Sequence, residues 1–385
     1  MINLISYEKS SFNMIKKTKY YSKCINDITR GCKLCVKGRK LVLFVTGICP
    51  RTCYYCPLSD RKYKKDVVYA NERPIDLTKE AEQQIIEESK TNQARGAGIT
   101  GGDPLSRLER TISYIEALKN EFGNHYHIHL YTSFDLVTKN SLQKLYDAGL
   151  DEIRFHPDID NNEQWNKIDF AKQFNWKIGI EIPVIPNKEK ETIKLLDYFK
   201  DKVDFINLNE LEISDNNACK LEELGYETKD QYSYAIKGSE ELADKLLKHL
   251  EDSNIKVHYC TAKLKDAVQM KNRLKLRAKS IAKYYEKIND DGTITRSIIY
   301  IEQPYTRKQL EQLDKKQAEK KLRKIQKQLG KFKTELDLKK FRLITHTKYF
   351  KKDKNIEFLK SLGLIPAIVT EDPTYDAFEL DINFL

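Results

Sequence analysis

Between Leu41 and Lys263, short β-like apolar runs alternate with amphipathic helical segments, and this alternation restricts the chain to a parallel α/β architecture. The predicted strands cover residues 41–46, 96–100, 127–132, 152–156, 177–183, 205–211 and 256–260. Between them, Leu108, Ile112, Ile115, Leu118 and Phe122 recur at helical steps, and Leu142 with Leu145 begins a helix that Gly149 stops. Trp165, Ile168, Ala171 and Phe174 mark a third helix, and Ile193, Leu196 and Phe199 a fourth. Six or seven such units make a partial (β/α)6-type TIM-like barrel, with a doubly wound open sheet as the alternative that alternation alone leaves open. In a barrel, chemistry sits at the carboxyl ends of the strands.

Directly after the first run, Cys49, Cys53 and Cys56 stand at C-x3-C-x2-C spacing. Three thiolates on so short a loop can hold three corners of a [4Fe-4S] cube and leave one iron without a protein ligand. Sites that only carry electrons usually take four cysteines, so the open iron is reserved for substrate or cofactor. A zinc knuckle is the competing reading of the triplet alone. A second motif, Thr100-Gly101-Gly102-Asp103-Pro104, ends the next strand, where peptides without Cβ can approach a ligand closely.

The segment Cys49-Pro50-Arg51-Thr52-Cys53-Tyr54-Tyr55-Cys56 resembles the C-x3-C-x-aromatic-C signature of the radical S-adenosylmethionine (radical SAM) superfamily, and the Gly101-Gly102 turn resembles that family's GGE-type turn. The resemblance implies that the open iron is chelated by the amino and carboxylate groups of SAM. Tyr55 then packs near the adenine, and Gly101 and Gly102 bind the methionyl amine. Asp103 stands where Glu is commoner, one methylene shorter. Ser133 and Glu181 occupy places where family members touch ribose and adenine. The reaction it implies is reductive cleavage of SAM to methionine and a 5′-deoxyadenosyl radical, which requires a low-potential electron donor. Residues 31–49, 57–60 and 67–74 further resemble an archaeal group related to pyruvate formate-lyase activating enzymes. That likeness covers about residues 30–265 and carries no substrate with it.

Other residues have two readings each. Glu181 could instead pair with a lysine at the barrel rim. Asn207, Asn209 and Glu210 end the sixth strand and either contact substrate or satisfy one another. His156 is a proton donor or a satisfied interior histidine. His125, His127 and His129 alternate on one face, a pattern more often structural than metal-binding. Cys32 and Cys35, at C-x2-C spacing with Cys24 ahead of them, are candidates for a second metal site or buried thiols. They precede the first strand, so unless the chain folds back they are expected at the end of the barrel away from the cysteine triplet. Cys260 ends the last strand and belongs near the mouth.

Charge and hydropathy bound the rest. The net charge of +11 and pI near 9.0 favour an acidic partner, or simply a solvated lysine-rich surface. No apolar run reaches the roughly 18 residues a membrane span needs, and residues 1–19 lack the continuous apolar core of a signal peptide. A cytoplasmic protein with reduced cysteines is expected. The predicted organisation is an amino-terminal extension with the cysteine pair over 1–40, the barrel over 41–265, and a basic helical and α/β region over 266–385. Within it, 214–239 reads as an insertion at the barrel mouth and 266–287 as a basic helix. A strand follows over 294–301, then one long helix striped by Leu310, Leu313, Leu322, Ile325, Leu329 and Phe332, then a small α/β piece over 341–385. The expected function is radical generation to modify an unidentified substrate, tRNA or another macromolecule. Glycyl-radical activation is the enzymatic alternative, and a non-catalytic iron–sulfur or zinc protein the alternative of another class.

Overall fold

The computed structural model describes residues 14–385. Most of the segment 1–19, read above for a signal peptide, lies outside the described residues. Two compact units are present, one comprising the chain to Lys90 with Ala94–Met270, the other Thr91–Gln93 with Lys271–Leu385.

In the first unit all seven predicted strands form: β3 (Leu41–Phe44), β6 (Gly96–Thr100), β7 (His127–Thr132), β8 (Glu152–Phe155), β9 (Lys177–Val184), β10 (Phe205–Glu210) and β11 (Lys256–Cys260). They pair in parallel in that order. Between them lie the helices α2 (Ala81–Thr91), α3 (Leu108–Phe122), α4 (Lys139–Asp147), α5 (Glu189–Phe199), and α6 (Ala218–Glu223) with α7 (Ser239–His249). The barrel is partial. β3 and β11 do not meet, and each is extended by antiparallel strands absent from the sequence reading: β4 (Val68–Ala70) and β5 (Arg73–Ile75) beside β3, β2 (Lys23–Ile25) and β1 (Lys16–Lys17) beside β11.

The predicted third helix is instead a 3₁₀ turn, Trp165–Phe170, followed by irregular chain. Aromatic side chains fill that side: Trp165 lies against Tyr198 and Phe199, and Phe174 against Tyr146 and Trp176. Strand alternation separates the two faces of the sheet. Ile128, Leu130, Ile153, Phe155, Ile180, Ile206, Leu208 and Val257 join the apolar core with Leu118, Leu142 and Leu196. His127, His129, Glu152, Arg154, Glu181 and Asn207 take the inner face, where the Phe205 ring also lies against Arg154.

The cysteine pair meets the condition that the sequence left open, because the chain before the first strand folds back. Cys32 and Cys35 lie on α1 (Arg30–Val36), which is capped by Thr29 and packs against that inner face. A Cβ at Gly31 would stand 2.6 Å from Arg154 Nη2 and 2.9 Å from His129 Nδ1, so only glycine permits the approach. The chain folds back because β2 adds antiparallel to β11, Cys24 opposite His258, and carries α1 under the strands. Cys32 is therefore beside the barrel's polar interior, at Arg154 and Asn207.

After β11 come the short turn α8 (Ala262–Leu264) and a π-helical turn, Lys265–Met270, which ends the first unit. The second unit begins with α9 (Lys271–Ile281), so the expected basic helix is two different elements. Its sheet runs β14 (Glu335–Asp337), β15 (Arg342–Thr345), β13 (Ile294–Tyr300), β16 (Ile365–Glu371), β17 (Glu379–Phe384), with β12 (Lys287–Ile288) on β13. The expected single long helix is α10 (Arg307–Gln312) and α11 (Lys315–Gln328), interrupted because Asp314 turns to cap Lys316 and Gln317. Leu322, Leu329 and Phe332 pack with Ile299, Leu343 and Leu359, the last on α12 (Asp353–Ser361). No helix among the described residues is long and apolar enough to cross a membrane.

Candidate functional site

The loop carrying Cys49, Cys53 and Cys56 leaves the carboxyl end of β3, and the Gly101-Gly102 turn leaves the neighbouring end of β6. Gly102 N–H donates to Thr46 O at 2.7 Å and Asp103 N–H to Ile48 O at 2.9 Å. A Cβ on Gly101 would sit 2.4 Å from Thr46 O, and one on Gly102 2.5 Å from Ile48 O. Both glycines are thus required where the two loops touch.

Asp103 locks this junction to the end of β7. Its fully buried carboxylate accepts from Leu105 N (3.0 Å), Thr132 Oγ1 (2.8 Å), Ser133 N (3.0 Å) and Ser133 Oγ (2.7 Å). Burial pushes the carboxyl up despite those donors. Asp103 and Ser133, predicted as cofactor contacts, therefore spend these side-chain groups on each other. Arg51, inside the cysteine loop, does similar work across the site. Its guanidinium meets Asp135 (2.9 Å) and Asp158 (3.0 Å) and donates to His156 O (2.9 Å). On the loop's other flank Asn217 donates to Tyr55 O at 3.2 Å. Ser214 and Asn216 stand 3.5 Å from Cys56 O, so the predicted insertion braces the loop.

The three thiols are free and half-buried. Burial pushes all three up, Cys49 to about 11. Arg51 N–H points at Cys49 Sγ across 3.4 Å. Tyr55 Oη stands 3.1 Å from His156 Nε2, and His156 Nδ1 lies 2.9 Å from Glu181 O. Burial pulls the imidazole below its ordinary value.

Beneath the loop, Glu181 accepts from Asn207 Nδ2 (2.8 Å), Asn209 Nδ2 (2.9 Å) and Arg154 Nη1 (2.8 Å). Asn207 and Asn209 thus face inward as expected. Glu210 does not: it bonds Lys229 and accepts from Ala262 N at 2.8 Å on the other face. Arg154 also reaches Glu152 Oε1 (2.6 Å from Nε), Tyr131 Oη (3.0 Å) and Cys32 Sγ (3.7 Å). Burial opposes the charge on Glu152, but Arg154 and His127 outweigh it and hold the carboxyl at about 2. Lys40, bonded to His127 Nδ1 at 2.9 Å, is pulled down by burial to about 7. His127 and His129 are therefore parts of a buried ionic network, while His125 is exposed ahead of the strand.

Among the described residues no three His, Cys, Asp or Glu side chains converge on a single ion. Loop thiols that wrap a multi-iron cube have no need to do so. The sequence reading missed Arg51 and Arg154. Arg51's position between two of the cysteines was a usable signal, whereas Arg154 was marked only by its inward register.

A family model described as the radical SAM superfamily matches residues 43–208. A Methanocaldococcus jannaschii protein provisionally named a glycyl-radical enzyme activating enzyme is 45% identical over 296 residues, covering 74% of this chain and 77% of that protein. A GTP 3′,8-cyclase of Staphylococcus carnosus is 32% identical over 181 residues, covering 43% of this chain and 51% of that enzyme. Among solved structures, methylornithine synthase aligns with a TM-score of 0.38 at 15% identity, over 59% of this chain and 70% of that one.

Proposed function

Because the chain belongs to the radical SAM superfamily, we propose that Cys49, Cys53 and Cys56 hold its [4Fe-4S] cluster and that the chain modifies a macromolecule. It is an enzyme that binds the cluster and SAM. When bound, the pair supplies a 5′-deoxyadenosyl radical by one-electron reductive cleavage. The observation that carries the assignment is the loop itself: three free, half-buried thiols on one strand end, braced from both sides by Arg51 and Asn217. Tyr55, held by His156, would pack near the adenine. The Gly101-Gly102 turn receives the methionyl end, and Asp103 with Ser133 fixes the turn's backbone for that contact. Glu181, oriented by Asn207 and Asn209, faces the ribose or the substrate. A low-potential one-electron donor is a required partner.

Reconstitution with iron and sulfide under anaerobic conditions is expected to give about four irons per chain. With reductant and SAM, the product is 5′-deoxyadenosine. Stoichiometric zinc with no SAM cleavage would refute the proposal.

A protein substrate is supported by the name of the M. jannaschii relative. RNA is supported by a different feature, the exposed lysines Lys315, Lys316, Lys320, Lys321, Lys324 and Lys327 of α11. If RNA docks there, affinity for bulk tRNA falls steeply between low and physiological salt. Binding that is absent or insensitive to salt removes RNA and leaves the protein substrate.

A further inference from the structure

In the second unit, α9 is followed by a tight turn that no step of the reaction proposed above uses. Glu286 N–H donates to Lys283 O at 2.9 Å, and the Glu286 carboxylate accepts from Lys283 N–H at 2.8 Å. Tyr284 and Tyr285 are the two central residues of this doubly closed turn. Tyr285 is fastened further, since its hydroxyl donates to Glu335 Oε1 at 2.9 Å and the Lys283 ammonium meets the same carboxylate at 2.8 Å. Its ring stacks on His346, with 5.2 Å between centroids and 22° between planes. His346 is fixed in turn, because its Nδ1 accepts from Lys348 N–H at 3.0 Å. Tyr284 points outward. Its ring is 91% exposed and stands across the Tyr285–His346 stack, at 82° to one ring and 77° to the other.

One exposed ring alone is ordinary on a protein surface. A step of three rings on a braced turn differs, because the turn has already given up the freedom that binding would otherwise remove. The chain places charge beside it. Lys348, Lys351, Lys352 and Lys354 follow His346 on the 3₁₀ turn Thr347–Tyr349 and the start of α12, and all four are exposed. Asp353 is the one acid in that stretch. Among the described residues none of the four lysines pairs with a carboxylate.

Flat rings beside uncommitted lysines match the two parts of an unpaired nucleotide, a base with an open π-face and a phosphate. A duplex hides its base faces, and an acidic peptide would engage the lysines while leaving the rings unused. We propose that this step is a docking surface for single-stranded RNA, with an unpaired base stacked on Tyr284 and the adjoining phosphates held by the lysines that follow His346. The substrate class it selects is an RNA with a loop or an unpaired end, not a continuous helix. This inference deepens the RNA reading of the substrate and rests on it; the chemistry of the cysteine loop does not enter.

The test is fluorescence anisotropy of a short labelled oligouridylate with the full chain, set against an RNA duplex of the same length and against polyglutamate as competitor. Tyr284→Ala is expected to weaken oligouridylate binding about ten-fold, and Tyr284→Phe, which keeps the ring, to leave it within about two-fold. Lys348→Gln with Lys351→Gln should flatten the slope of log affinity against log salt by about 1.4, the value for two lost phosphate contacts on a single strand. The duplex should bind more weakly, with no response to Tyr284→Ala. Full affinity in Tyr284→Ala, a duplex bound as tightly as the single strand, or displacement of the RNA by polyglutamate at equal charge each overturns the platform. If Tyr284→Ala changes nothing while bulk tRNA still binds with a steep salt dependence, the platform falls and the RNA reading stands. If neither RNA binds, both fall.

Discussion

Cys53→Ala is expected to abolish both the brown iron–sulfur chromophore and SAM cleavage. With two thiolates left, two irons of the cube lack protein ligands, and iron content should fall from about four per chain to below about one. The rate of 5′-deoxyadenosine formation should drop by at least roughly a thousand-fold, since the variant loses the electron source itself. Stability should barely move. Cys53 sits half-buried on a loop whose bracing runs through Arg51, Asn217 and the Gly101-Gly102 turn. A surface-like change of about 0.5 kcal/mol or less is expected from denaturant unfolding of the apo chain. Cys219→Ala, at an exposed cysteine, should leave chromophore and activity intact. A Cys53→Ala protein that stays brown and cleaves SAM would remove the cluster from this loop.

The features that sequence made legible are local ones. Residues 96–100, 127–132 and 256–260 were predicted as strands and form over those same residues, because apolar runs bounded by turn chemistry suffice to define a buried strand. The cysteine triplet was legible for the same reason, since its ligand spacing is a property of one loop. What stayed hidden depends on distant partners. Nothing within residues 14–36 says that Cys24 will pair with His258, yet that pairing brings α1 to the inner face and makes Cys32 a neighbour of Asn207. Glu210 was misplaced because alternation along β10 sends it to the face opposite Asn209, where Lys229 of the insertion meets it. The hold on Asp103 was hidden in the same way, since Thr132 and Ser133, 29 and 30 residues on, engage both of its oxygens. The interior differs from a TIM barrel's usual packed layers of branched apolar side chains. Its polar side chains need partners, and those partners come from β7, β8, β9, β10 and α1 at once.

That interior makes Arg154→Met the second large effect, and it is one of stability. Arg154 is the cation shared by Glu152 and Glu181, and its side chain is 2% exposed. Removing one partner of a buried pair costs about 3–5 kcal/mol, because the remaining charge is left without compensation. Glu181 keeps Asn207 and Asn209, whereas Glu152 keeps mainly His127 at 3.5 Å, so the loss falls chiefly on Glu152. The dependence on pH separates this cause from lost packing. In the native chain the Glu152 carboxyl sits at about 2, below its ordinary value. Its contribution is therefore complete above the ordinary carboxylate pKa of about 4.3 and is lost as pH falls towards 2. Without Arg154, desolvation dominates and raises the carboxyl, so the folded variant takes up a proton more readily than the unfolded chain. The destabilisation should then be greatest near neutral pH and shrink on acidification. Urea unfolding of both proteins at pH 7 and pH 5 measures the difference, and Glu152→Gln added to Arg154→Met should recover most of the loss at pH 7. An equal loss at both pH values, unrelieved by the second substitution, would mean that Arg154 acts through its volume and that the buried charges beneath the cysteine loop are not what holds the barrel's inner face together.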